Sequence, residues 1–157
     1  MSILYVDADA CPVKQEIYRV AKRYSMEVVV VANASLHVPK ASWLKLIVVS
    51  AGANVADDWI AENASTDDIV VTADIPLAAR CLEVEARVLD HKGGEFTEDR
   101  IGEALASREI GEQLREAGFN TKGPPPFTDR DRSQFLQRLD QVIQAIRRRA
   151  ERQKRKS

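Results

Sequence analysis

The chain has 157 residues, 45% hydrophobic and 30% charged, enough for one globular domain with its own core. No apolar run approaches the roughly 20 residues of a membrane span, and the start lacks a basic stretch leading into an apolar signal segment, so a cytoplasmic protein is expected. The net charge of −1 hides an uneven spread: from Arg147 onward seven Lys or Arg face one Glu, a local +6 that leaves the rest of the chain at −7.

Ile3-Leu-Tyr-Val runs straight into Asp7-Ala-Asp9, then Cys11-Pro12, and then a helical pattern that puts Val13, Ile17, Val20, Ala21 and Tyr24 on one face. This reads as a strand delivering two carboxylates to the carboxyl edge of a sheet, with Pro12 in the first turn of the following helix and Asp9 or Cys11 at its positive end. Glu27–Ala32 is a β-branched run of the kind buried on both faces of a parallel sheet. Residues 33–39 read as a loop, 44–49 as a third strand and 55–62 as a short helix. Ile69–Thr72 is a fourth strand, Asp74-Ile-Pro76 opens a helix to about Glu83, and Arg87–Asp90 is a short fifth strand.

The last third changes character. Residues 97–116 read as a helix with an imperfect stripe of Ile101, Leu105, Ile110 and Leu114, closed by Gly118. Gly123-Pro-Pro-Pro126 is a stiff connector, and Asp131 to about Arg149 is amphipathic through Phe135, Leu136, Leu139, Val142, Ile143 and Ile146. The alternation predicts a single α/β domain over 1–150: a three-layer, Rossmann-like fold with a mostly parallel sheet of four to five strands. Residues 151–157 read as a basic, disordered tail, which either neutralises phosphates of a nucleic acid or serves as a solubilising helix end.

In a parallel sheet the acids that follow the strands emerge at one edge. Asp7 and Asp9 are thereby brought towards Asp57 and Asp74, although 50 and 67 residues separate the latter two from Asp7. Clustered carboxylates call for a cation, and oxygen-only ligands suit Mg²⁺ or Mn²⁺, which activate water in phosphodiester cleavage. Without the ion, at least one of these acids should titrate high. Two cysteines without C-x-x-C and two histidines argue against a zinc cage or a disulfide framework.

Plain helix caps compete with this reading: Asp9 before the first helix, Asn54 with Asp57 as a capping box, Asp74 before Pro76, and Thr128 with Asp131 as another box. Caps explain one acid at a time; they leave Asp7 and the double acid at one strand end unexplained. Lys14 is a candidate phosphate contact, and Asn33 and Thr72 are candidate substrate hydrogen-bonders at the same edge. Asp58 and Asp67 read as solvent-facing, Trp43 and Trp59 as packing anchors, and Gly93-Gly94 as a turn, since nothing matches a phosphate-binding glycine loop.

Asp7-Ala-Asp-Ala-Cys-Pro-Val-Lys14, Ala56-Asp57-x-Trp-Ile60, Asp68-Ile-Val-Val-Thr-Ala-Asp-Ile-Pro-Leu-Ala78 and Gly123-Pro-Pro-Pro-Phe-Thr128 with Asp131-Arg132 resemble the bacterial YaiI/YqxD family of uncharacterised proteins, over about residues 3 to 146. That family resembles the PIN-like and NYN nuclease folds. The resemblance implies Mg²⁺ or Mn²⁺ held by Asp7, Asp9, Asp57 and Asp74 for cleavage of a phosphodiester, with RNA as the partner. Where the family often carries an acid shortly before Asp57, this chain has Asn54, and His91-Lys92-Gly93 stands where Pro-Arg-Gly is common.

Two other readings stand beside it. The strand ending in Asp7-x-Asp9 also resembles haloacid-dehalogenase phosphatases, in which Asp7 would be the nucleophile and Asp9 a general acid, although Cys11 occupies the usual Thr or Val position. The third is an RNA-binding module that does not cleave. Substrate, activity and oligomeric state stay open at this stage.

Overall fold

The computed structural model describes residues 2–52, 54–116 and 126–156, with side chains left out for 108–116. Five strands, β1 (Ile3–Asp7), β2 (Glu27–Ala32), β3 (Leu44–Val48), β4 (Ile69–Val71) and β5 (Arg87–Leu89), form one sheet in the order β3-β2-β1-β4-β5. Every pairing is parallel. Helices α1 (Lys14–Arg23), α2 (Val55–Asn63), α3 (Ile75–Glu83), α4 (Glu98–Glu116) and α5 (Asp129–Lys156) complete the chain.

Side-chain alternation splits the core into two layers. Leu4, Val6, Val28, Val30, Ile69 and Val71 face α1 and α5, where Ile17, Val20, Phe135, Leu139 and Ile143 meet them. Tyr5, Val29, Val31, Val70 and Val88 face the other way, onto Ala56 and Ile60 of α2 and Leu77, Ala78 and Cys81 of α3. Helices on both faces of a parallel sheet make the three-layer, Rossmann-like α/β arrangement, and its central strands are apolar throughout because neither face meets water. Trp59 packs edge-on against Tyr5, with ring centroids 6.1 Å apart, and Trp43 lies against the opposite core layer. Among the described residues no helix is long and apolar enough to cross a membrane.

The chain runs from β1 outward to β2 and β3, then returns across β1 to β4 and β5. The strand order therefore reverses beside the carboxyl end of β1, where the connections diverge and leave a crevice.

Several local expectations change. Helix α1 begins at Lys14, with Val13 at its N-cap and no side-chain cap bond, so Pro12 precedes the helix and Asp9 does not cap it. A turn at Asp9–Ala10, with Ala10 at φ 50°, sets the chain off the strand first. Asn54 does precede α2, but at φ 69° and without a side-chain cap bond. An N-cap side chain reaches the helix from extended backbone, so the left-handed conformation of Asn54 removes the capping box and leaves Asp57 uncommitted to it. The other two caps form. Asp74 Oδ1 accepts from Leu77 N at 2.8 Å, and Thr128 and Asp131 bond reciprocally at 3.0 and 3.1 Å.

Helix α5 also runs through Lys156, so the basic residues 151–156 continue a helix where the sequence suggested a disordered tail. The run Ala150-Glu-Arg-Gln-Lys-Arg-Lys156 contains no Gly, Pro or β-branched residue to stop it. Leu105 of α4 is exposed, off the buried stripe begun by Ile101. Gly118, the Gly123–Pro125 part of the connector and the side chains of Ile110 and Leu114 lie outside the described residues.

Two polar ties fix the outer elements. Arg132 of α5 donates to Pro12 O at 2.9 Å and to the buried Glu16 at 3.0 Å, joining the start of α5 to the start of α1. Asp68, just before β4 and 3% exposed, accepts from Ile3 N at 2.9 Å, Ser65 N at 2.9 Å and Ser65 Oγ at 3.0 Å. Replacing Asp68 with Ala strands two backbone donors at the foot of the sheet. The Asp68→Ala variant is expected to lose about 2–4 kcal/mol in urea unfolding, with its circular dichroism at low urea unchanged.

Candidate functional site

At the carboxyl edge a cleft of about 880 Å³ opens beside β1. Its lining includes Asp7, Asp9, Asn33, Asp57, Asp74 and His91 and, among the described residues, no lysine or arginine. All four predicted acids therefore share one space, as the parallel sheet requires.

Each acid is held differently. Asp7 ends β1 and is 7% exposed; its Oδ2 accepts from Thr72 Oγ1 at 2.8 Å and its Oδ1 from Asp9 N at 3.4 Å. Burial pushes its carboxyl above the usual range, aided by the charges of Asp9 and Asp74 and opposed by those two hydrogen bonds. Asp74 caps α3, and its own N donates to Thr72 Oγ1 at 3.0 Å. Asp57, in the first turn of α2, is pushed up to about 6. Burial is the largest cause, followed by the charges of Asp74 and Asp7, and a hydrogen bond to Asp74 further favours the protonated form. Asp9 sits exposed at the mouth.

The substrate-binding candidates separate. Asn33 lines the cleft, with its amide donating to Gly52 O at 3.3 Å. Thr72 is fully buried, its hydroxyl bridging Asp7 and the backbone of Asp74, so what it does here is orient carboxylates. Lys14, half-buried on α1, does not line the cleft. Asp58 faces solvent as expected and pairs with Arg80 at 2.6 Å. Asp67 is less open than expected and pairs with Arg149 at 3.2 Å.

His91 is the residue that reasoning from sequence passed over. It follows β5 at the same edge, and its Nε2 is buried without a hydrogen-bond partner among the described residues. Burial lowers its pKa against the pull of Asp90 and Asp7, so the imidazole is neutral near pH 7. The loop presenting it is rigid: Asp90 accepts from Lys92 N at 2.8 Å and Gly94 N at 2.9 Å, and it also pairs with Arg100. Gly93 sits at φ 87° against Gln134 O, where a Cβ would come within 2.7 Å. A usable signal was present in the sequence, because His91 comes two residues after a strand of the same parallel sheet.

Among the described residues no three His, Cys, Asp or Glu side chains stand together as a ready-made metal cage. The donors do fit a hard ion that takes one or two carboxylates and completes its shell with water and substrate phosphate, as Mg²⁺ and Mn²⁺ do. Cys11 and Cys81 are buried and free, and burial raises both thiols, so neither is poised as a thiolate ligand or nucleophile.

A profile described as "Uncharacterized BCR, YaiI/YqxD family" matches residues 5–145. The chain belongs to this family. It is 52% identical over 149 residues to a UPF0178 protein of Parvibaculum lavamentivorans, covering 95% of this chain and 98% of that one. It is 53% identical over 145 residues to a UPF0178 protein of Nitrobacter winogradskyi, covering 92% of each. No solved structure matches.

The raised carboxyl of Asp57 has a consequence for stability. Its folded value of about 6 exceeds the unfolded 3.8, so its favourable contribution is complete below 3.8 and is lost as pH rises through 6. Asp57→Asn is accordingly expected to be more stable than the metal-free wild type at about pH 7, with the gap closing near pH 4, in thermal melts across that range.

Proposed function

We propose that this YaiI/YqxD-family chain hydrolyses phosphodiester bonds, with RNA as the substrate class and Mg²⁺ or Mn²⁺ as the cofactor. The observation that supports this reading is the meeting of four carboxylates in one cleft whose lining, among the described residues, carries no compensating Lys or Arg. An anionic pocket repels a phosphate unless a cation joins it.

Asp7 and Asp74 are the natural inner ligands, because Thr72 and the start of α3 fix their carboxylates before any ion arrives. Asp9, at the mouth, adds negative charge on the solvent side. Bound there, the ion would supply a polarised water and charge stabilisation for the departing oxygen. Asp57 reaches the same space from the first turn of α2, in hydrogen-bond contact with Asp74. Its carboxylate positions the attacking water and takes up its proton. Asn33 and the neutral His91 offer hydrogen bonds to substrate at the two sides of the cleft.

Incubation of end-labelled single-stranded RNA with wild-type protein in Mn²⁺ is expected to give cleavage that EDTA abolishes. Asp7→Asn is expected to reduce the rate by about 100-fold or more while keeping the native circular dichroism. Absence of Mn²⁺-dependent cleavage by the wild type on RNA would overturn the reading. A phosphoryl group trapped on Asp7 during hydrolysis of a phosphomonoester would replace it with the phosphatase mechanism.

A further inference from the structure

One strongly charged feature lies outside the acid cleft. The buried positions of α5, Phe135, Leu139, Val142, Ile143 and Ile146, define its inner side. Arg148, Arg152 and Arg155 follow at i, i+4 and i+7 on the opposite, outward side, and all three are exposed. Seven residues before Arg148, Gln141 begins a second run with Gln137, Gln134 and Arg130 at three- and four-residue spacing on the same side, again exposed. One face of the helix, spanning about 38 Å from a rise of 1.5 Å per residue, thus carries arginines and amides and no carboxylate.

The carboxylates near this face are elsewhere or engaged. Asp140 is tied to Tyr24 and to Gln144, the latter at 2.8 Å, and Asp131 is taken up in the capping box. Glu151 is the sole acid from Arg147 to Lys156 and stands on the flank of the arginine line. Arg147 stacks on the Tyr24 ring and Arg149 pairs with Asp67, so those two anchor the helix on the domain while their neighbours point away.

We propose that the outward face of α5 is a docking track for the phosphate backbone of a nucleic acid, gripped at Arg148, Arg152 and Arg155. Exposed arginines at one-turn spacing on a rigid helix match a repeating line of phosphates, and the glutamines add neutral hydrogen-bond donors to the same backbone. A membrane surface is the poorer partner: beyond Ile146 the helix offers only Ala150 as an apolar side chain, so it has no wedge to bury in lipid. Because the track reads phosphates, it is indifferent to sequence and to sugar. The proposal is independent of the cleavage reading, since it concerns another surface and needs no metal.

The test is fluorescence anisotropy of labelled RNA and DNA duplexes with the full chain in EDTA, across a salt series. The wild type is expected to bind both duplexes within a few-fold of each other, with affinity falling steeply as salt rises. The triple variant Arg148→Gln, Arg152→Gln, Arg155→Gln is expected to bind at least about tenfold more weakly and to flatten the logarithmic salt slope by about two to three. Its thermal midpoint should match the wild type, because none of the three side chains enters the core. Unchanged binding by the variant, salt-insensitive binding, or marked preference for one sugar would overturn the proposal. So would binding to phosphatidylserine vesicles without binding to either duplex.

Discussion

Mutual repulsion among Asp7, Asp9, Asp57 and Asp74 is the constraint around which the carboxyl edge is built. Parallel pairing leaves no choice about where the strand ends emerge, and the reversal of strand order beside β1 leaves room between the connections that diverge there. The acids therefore meet in a space that water and ligand can enter but that, among the described residues, no lysine or arginine lines. A fold that only needed caps could have spread these charges. Here one carboxyl gives way and Asp57 holds its proton up to about 6.

Two structural acids, the buried Asp68 and the half-buried Asp90, are held differently. Asp68 accepts three hydrogen bonds and stitches β1 to the turn before β4; Asp90 accepts two backbone amides and the Arg100 guanidinium. Each has donors for its lone pairs, which is the condition for burying a carboxylate at modest cost. Asp7 has one close donor and a longer backbone contact, and Asp57 gains chiefly another carboxyl as neighbour.

Much of this was legible from residues alone. The β-branched run of β2 announces burial on both faces, and the alternation of strands with helices predicts the parallel sheet and hence the convergence of Asp7, Asp9, Asp57 and Asp74. What the sequence hid depends on backbone conformation and on contacts distant along the chain. Asn54 followed by Asp57 reads as a capping box, yet the left-handed turn at Asn54 undoes it. The structural role of Asp68 leaves no local trace, because its partner Ile3 lies 65 residues away. His91 enters the cleft because Asp90 and the close approach of Gly93 to α5 shape its loop. Thr72 reads as a substrate contact, whereas packing turns its hydroxyl onto Asp7.

The most direct test of a cation site at the carboxyl edge is amide NMR of ¹⁵N-labelled protein during addition of substoichiometric Mn²⁺, whose unpaired electrons broaden nearby signals. Asp7, Asp9, Asn33, Asp57, Asp74 and His91 are expected to lose intensity first and together, with the effect greatly reduced in Asp7→Asn. Broadening spread over remote surface acids such as Glu98 and Asp99, or the same pattern undiminished in the variant, would contradict a single cation site at the carboxyl edge.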